Sequence, residues 1–219
     1  MTSENPGISR KERTIARLKE LGIPTIDWLP HIGDSEIKLR PAREVAERAV
    51  ALCACAVQAE MLHTGQSEPF AWRLLEETGL VSALSPDERQ FFDDPKPSEQ
   101  MVIQFAWRYE ACAVLLWSLG ELTELPYPTV ICDVPLVART ARELAKPERL
   151  NAVALRSEGE ILDQLDLTYR LHWAVRDAQI NGRPTPRSLD SGVVMERHFA
   201  LNWLTDAENT PWDDTDTST

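Results

Sequence analysis

This sequence predicts an all-α protein. Three observations carry the prediction: helix start and stop signals recur along the chain, apolar residues repeat at helical spacing, and strand-like runs are short and border prolines. Ser9 is placed to cap a first helix, whose apolar positions Ile15, Leu18 and Leu21 precede Gly22, the residue type usual just past a helix end. Pro41 opens a long helix through Val45, Ala49, Leu52, Ala56 and Met61 that closes near Gly65. Pro69 and Gly79 bracket a third. Ser85, Pro86 and Glu88 form a capping box with proline in the first turn, predicting a short helix to about Phe92 before Pro95 and Pro97 break the chain. Ser98 starts a central helix that ends at Gly120, and another helix covers residues 135–145. Ser157 and Glu160 make a second capping box, opening a segment that ends near Asn181 and Gly182. Pro184 and Pro186 separate it from a last helix over residues 190–204. Only residues 23–29 and 129–131 read as short strands. The expectation is a single helical domain over residues 8–204, with about eight helices, and an acidic tail over 205–219 that is mobile except around Trp212.

Composition bounds the partners. The 219 residues carry 23 Lys and Arg against 35 Asp and Glu, a net charge of −12, which argues against nucleic acid or an anionic membrane as a partner because both are polyanions. The start of the chain, residues 1–13, is polar and charged where a signal peptide would be apolar, and the longest uncharged apolar runs, 49–59 and 111–120, are shorter than the roughly 20 residues that span a bilayer. A cytoplasmic location is expected. Cys53, Cys55, Cys112 and Cys132 lie in apolar surroundings; Cys53 and Cys55 diverge by about 200° on a helix, so the expectation is reduced core thiols and no shared metal.

The residues that stand out are charges on arcs that should be buried. At about 100° per residue, Gln104, Arg108 and Ser118 share a polar arc of the central helix, whereas Glu110 falls between Ile103, Ala106, Val114 and Trp117. A buried carboxylate must find a partner or take up a proton. In the segment 157–177, Asp163, Asp166, Arg170 and Asp177 form a stripe, and His172 and Arg176 interrupt the apolar remainder. In the last helix Arg197 projects through the face made by Val193, Val194, Ala200, Leu201 and Leu204, with Glu196 beside Trp203. Arginine suits such a position because its planar fork can satisfy carboxylates and carbonyls together. The expected arrangement pairs Glu110 and Glu196 with Arg176 and Arg197, with Asp163 or Asp166 as the alternative acceptor, pinning three helices. Alternatively, Asp163, Asp166, Arg170, His172 and Asn202 line a cleft that takes a ligand.

Catalytic signatures do not appear in the chain. Asp163, Asp166, Glu196 and Asp213 could offer oxygen ligands, but their spacing is unspecific, and no Glu has a His three residues on in two helices. His31, His63, His172 and His198 form no zinc-binding pair; His172, near the apolar arc, is the one whose pKa an acid neighbour could raise. Nucleophile elbows, phosphate-binding glycine loops and dinucleotide fingerprints are missing. No metal or cofactor is therefore expected. Among the seven tryptophans, Trp212 is the large apolar residue of the tail and the candidate docking anchor.

Four runs appear in order: Trp107-Arg108-Tyr109-Glu110-Ala111 leading to Leu116-Trp117-Ser118-Leu119-Gly120; Leu165-Asp166-Leu167 leading to Trp173-Ala174; Glu196-Arg197-His198 with Ala200-Leu201-Asn202-Trp203-Leu204; and Trp212-Asp213-Asp214 with Asp216-Thr217. In these the chain resembles the domain of unknown function 4272 family over most of its length, from about Ile8 to Thr217. The resemblance implies a mainly bacterial family with no assigned activity and supplies no site residues. The sequence therefore leads to the expectation of a non-enzymatic protein acting through a partner protein of basic character, with a small-ligand binder or enzyme as the alternative.

Overall fold

The computed structural model describes residues 6–33, 37–66 and 69–218. The helices are α1 (Pro6–Glu20), α2 (Ala42–His63), α3 (Phe70–Thr78), α4 (Pro86–Asp93), α5 (Glu99–Ala106), α6 (Arg108–Ser118), α7 (Val134–Leu144), α8 (Pro147–Leu150), α9 (Glu158–Ile180) and α10 (Ser191–Thr205). Short 3-10 turns lie at Val81–Ala83, Pro186–Ser188 and Trp212–Asp214. The fold is all-α. Among the described residues no helix is long and apolar enough to cross a membrane.

Local chemistry sets most boundaries. Both capping boxes form: Ser85 and Glu88 exchange side-chain and backbone hydrogen bonds at the start of α4, and Ser157 and Glu160 do so at the start of α9. Asp133 and Asp190 cap α7 and α10 with their carboxylates. Gly79 closes α3 at φ +71°, a left-handed conformation in which a Cβ would be strained. The first helix begins at Pro6, before the expected cap at Ser9, whose side chain lies outside the described residues.

Three expectations are corrected. Residues 23–29 and 129–131 form loop, and the extended pairing present among the described residues is an isolated bridge between Ile37 and Asp206; Pro24 within the first segment and the flanking Pro30 and Pro128 lack the N–H a ladder needs. The central helix is broken at Trp107. Its N–H reaches Ile103 O at a long 3.4 Å, while Glu110 N–H turns back to Trp107 O at 3.0 Å, so α6 restarts there. A helical turn the punctuation did not reveal, α8, follows α7. In the tail, Trp212 is buried against Phe199 and Trp203, with ring centroids 4.8 and 5.4 Å away.

The core is layered around α2 and α6. Helix α2 packs on α3, α5, α6 and α7, whereas α10 packs on α6 and α9, and α1 covers α9. The middle of α2 and nearly all of α6 are buried on every side, as helices without a polar face must be. Small residues let the two approach closely, and the Cys112 thiol donates to Ala49 O across the contact at 3.3 Å. The tail is held by Arg40, which donates to Trp203 O at 2.6 Å, Asn209 Oδ1 at 2.8 Å and Thr210 O at 2.5 Å, while its guanidinium lies 4.2 Å from the Trp203 ring centroid.

Candidate functional site

The restart of α6 puts Glu110 in a first turn, where the helix dipole favours a carboxylate. Its Oε2 accepts from Arg197 Nε at 3.1 Å, and its Oε1 accepts from the backbone N–H of Cys132. Arg197 Nη1 donates to Pro126 O at 2.6 Å. Both side chains are 2% exposed. The pair therefore ties α6 and α10 to the loop between α6 and α7, because Pro126 and Cys132 both belong to that loop.

The other sequence-predicted residues form separate pairs instead of one cleft. Glu196 meets Arg108, not Arg176, at 3.2 Å, and burial pushes its carboxyl pKa up against the opposing pull of that guanidinium. Arg176 is exposed and donates to Gln179 at 3.3 Å; a long stem on a helix edge carries its charge to water. Asp166 and Arg170, one helical turn apart, are fully buried and bidentate, at 2.7 and 3.1 Å, with Arg170 also reaching Pro30 O at 3.1 Å. Asp163 is exposed and accepts from Arg10 and Arg13, each at 2.9 Å. Asn202 holds the tail through Asp216 O at 2.8 Å. The expected docking anchor Trp212 is sealed in the protein's own core, so its indole is not available to a partner.

His172 and His198 face each other, Nδ1 to Nδ1, at 2.9 Å in a buried setting. The expected upward shift of His172 is reversed. Burial, with Arg176 adding to it, lowers its pKa to about 4, and burial with the neighbouring ring lowers that of His198 to about 3. Both rings are neutral at pH 7, with one nitrogen donating and the other accepting.

Close to Glu110 lies a groove of about 550 Å³, between the end of α2, α5, the Trp107 turn and the start of α7. Val102, Ile103, Ala106, Trp107, Ile131 and Val134 supply its apolar walls; Glu60, His63, Tyr109 and Glu110 supply its polar groups. Tyr109 donates to Glu60 Oε2 at 2.8 Å, and burial raises its phenol pKa. The Cys132 thiol is pushed up first by burial and then by Glu110, so it stays protonated and is a poor nucleophile. Trp107 packs on Gly192, where an added Cβ would lie 2.6 Å from Cη2 of the ring. Ile103, Val130 and Ile131 are exposed at and beside the groove.

The model of the domain of unknown function (DUF4272) matches residues 10–215. The chain belongs to that family. No curated protein and no solved structure matches it significantly. In this DUF4272 protein the four runs that carried the resemblance contribute Glu110, Asp166, Glu196, Arg197 and Trp212 to buried pairs and ring contacts, which places them in its packing.

Sequence reasoning missed two sets of residues. Arg48 and Glu88 form a buried ion pair between α2 and α4, in which Glu88 Oε2 also accepts from Ser85 N–H at 2.9 Å. The signal was present, since Arg48 interrupts the apolar face of α2, but Glu88 was already accounted for by the capping box. The groove was missed because its walls come from three separated segments that meet only through the break at Trp107.

Proposed function

We propose that this protein acts by binding a partner protein in the cytoplasm, through the groove at the Trp107 turn. The observation that carries the reading is the continuity of the 550 Å³ groove with exposed Ile103 and Ile131. Isolated exposed apolar residues are ordinary, whereas a concave apolar surface rimmed by a few polar groups marks a binding site. A chain of net charge −12 with Glu60 at the groove favours an apolar segment carrying basic side chains. Four free, buried cysteines fit a reducing compartment. The buried carboxylates and arginines, engaged mainly with one another, act in this reading as latches and leave the groove as the working surface.

A photo-crosslinking residue at position 103, in cells of the native host, tests the proposal. The expected result is a discrete protein adduct that disappears when Ile131→Asp is added while the fold is retained. A protein adduct whose yield ignores Ile131→Asp overturns it. The second reading, a small apolar ligand, is favoured by a volume inside the range of about 300–1,000 Å³ typical of ligand pockets. It predicts no protein adduct and a bound mass of a few hundred daltons by native mass spectrometry.

A further inference from the structure

A second, smaller cavity adjoins the other member of the buried pair. It has a volume of about 110 Å³, lies between α1, the loop at Leu125–Pro128, α9 and α10, and is lined by Arg17, Tyr127, Gln164, Thr168 and Arg197 among others. That is the space of roughly three to four liquid waters, enough for a small oxyanion.

Two polar atoms of its lining residues are left over. Arg197 Nη2 and Tyr127 Oη are buried and have no hydrogen-bond partner, although Nε and Nη1 of the same guanidinium are used. A buried donor left unpaired costs about 1–3 kcal/mol, and more when charged. Such atoms in native proteins usually have an occupant to meet them. Thr168 Oγ1 accepts from Gln164 Nε2 at 3.1 Å, which leaves its own proton to donate.

The charged side chains that line the cavity, Arg17 and Arg197, are both basic, and Asp163 stands with Arg17 at an adjoining pocket. Arg17 is exposed at the cavity, and both Arg17 and Arg187 pull on the Tyr127 hydroxyl against the upward push of burial. Arg187 is fixed nearby by an Nε hydrogen bond to Leu21 O at 2.5 Å. Glu110 balances one of these three guanidiniums. Water could satisfy the spare donors, but it would not answer the remaining positive charge; an anion with several acceptor oxygens does both.

We propose that this cavity is a binding site for a small oxyanion, a phosphate or a carboxylate, held by Arg197 Nη2, Tyr127 Oη and the Thr168 hydroxyl, with Arg17 supplying charge from the exposed side. The site is independent of the partner groove.

The test is a titration of the full chain with inorganic phosphate, and in parallel with acetate, at fixed ionic strength in buffer free of other oxyanions. Heat of binding and Tm are followed. At least one of the two anions is expected to bind saturably at one site per chain and to raise Tm. Arg17→Gln should weaken that binding about tenfold, as loss of a charge-assisted contact does. Tyr127→Phe should weaken it as well, yet leave the anion-free protein as stable as before or more so, because it deletes an unsatisfied hydroxyl. Both variants spare the Glu110–Arg197 pair, so folding is retained. Which anion binds more tightly separates phosphate from carboxylate chemistry. No response beyond that to an equal concentration of chloride, or an equal response in wild type and both variants, overturns the proposal.

Discussion

Arg197 Nε donates to Glu110 Oε2 at 3.1 Å inside the protein, 87 positions away along the chain. Removing one partner of a buried pair leaves the other charge stranded, at a cost of about 3–5 kcal/mol. Arg197→Met is therefore expected to lower stability by that amount in urea denaturation. Adding Glu110→Gln should recover a large part of the loss, because the amide carbonyl still accepts from Cys132 N–H and no charge remains. If the single and double variants lose equally, electrostatic pairing is not what this contact contributes.

Burial of His172 and His198 makes the fold sensitive to acid. Both pKa values fall from 6.5, to about 4 and about 3. The unfolded chain then binds more protons than the native one below pH 6.5, so stability falls as pH drops through that window. The loss approaches about 1.4 kcal/mol per pH unit for each fully engaged histidine, and it levels off for His172 near pH 4 and for His198 near pH 3. Denaturation midpoints measured from pH 7 to 4 should show a steep limb in the wild type and a flatter one in His172→Phe/His198→Phe.

Gly192 is required by the Trp107 ring and not by its backbone. A methyl group there would come within 2.6 Å of the indole. Gly192→Ala is expected to cost about 1–3 kcal/mol as overpacking does, by driving the ring toward the groove it lines. Trp107→Leu in the same chain should relieve part of the cost; additive losses in a double-mutant cycle would show that the two side chains do not meet.

Trp212 fixes the tail. Trp212→Ala removes a ring packed on Phe199 and Trp203 and approached by Arg48 at 5.1 Å, and truncation of a buried aromatic costs about 3–5 kcal/mol. The variant should be cut by protease within residues 206–218 far faster than the wild type. Equal cleavage rates would mean that the indole does not hold this segment.

Helix ends were legible because they depend on neighbours in sequence. Ser85 with Glu88, Ser157 with Glu160, and Gly79 act within a few residues of themselves. The pairing of charges was less so. Periodicity is informative where a helix has one wet face, and α6 has none, so the shared polar arc of Arg108 and Ser118 did not reveal their surroundings: Ser118 is fully buried and Arg108 turns to Glu196. Glu110 and Arg197 were singled out correctly as intruders on apolar faces, and they meet in the structure. Arg176 looked equivalent by position, but the edge of α9 leaves its stem a path to water. The break at Trp107, which shapes the groove, carries no proline or glycine to announce it.

Arg40 is bonded to Asn209 and Thr210, 169 and 170 positions later in the chain. At roughly 5–20 residues per second, a ribosome takes on the order of 10–30 s to make those partners once Arg40 has been added. During that interval the surfaces of α2 and α6 that will receive α10 and Trp212 stay uncovered, and native contacts spanning so much chain form slowly. The nascent protein is therefore at its most aggregation-prone just before α10 and Trp212 are made, and a stall in translation after α9 would strand it there.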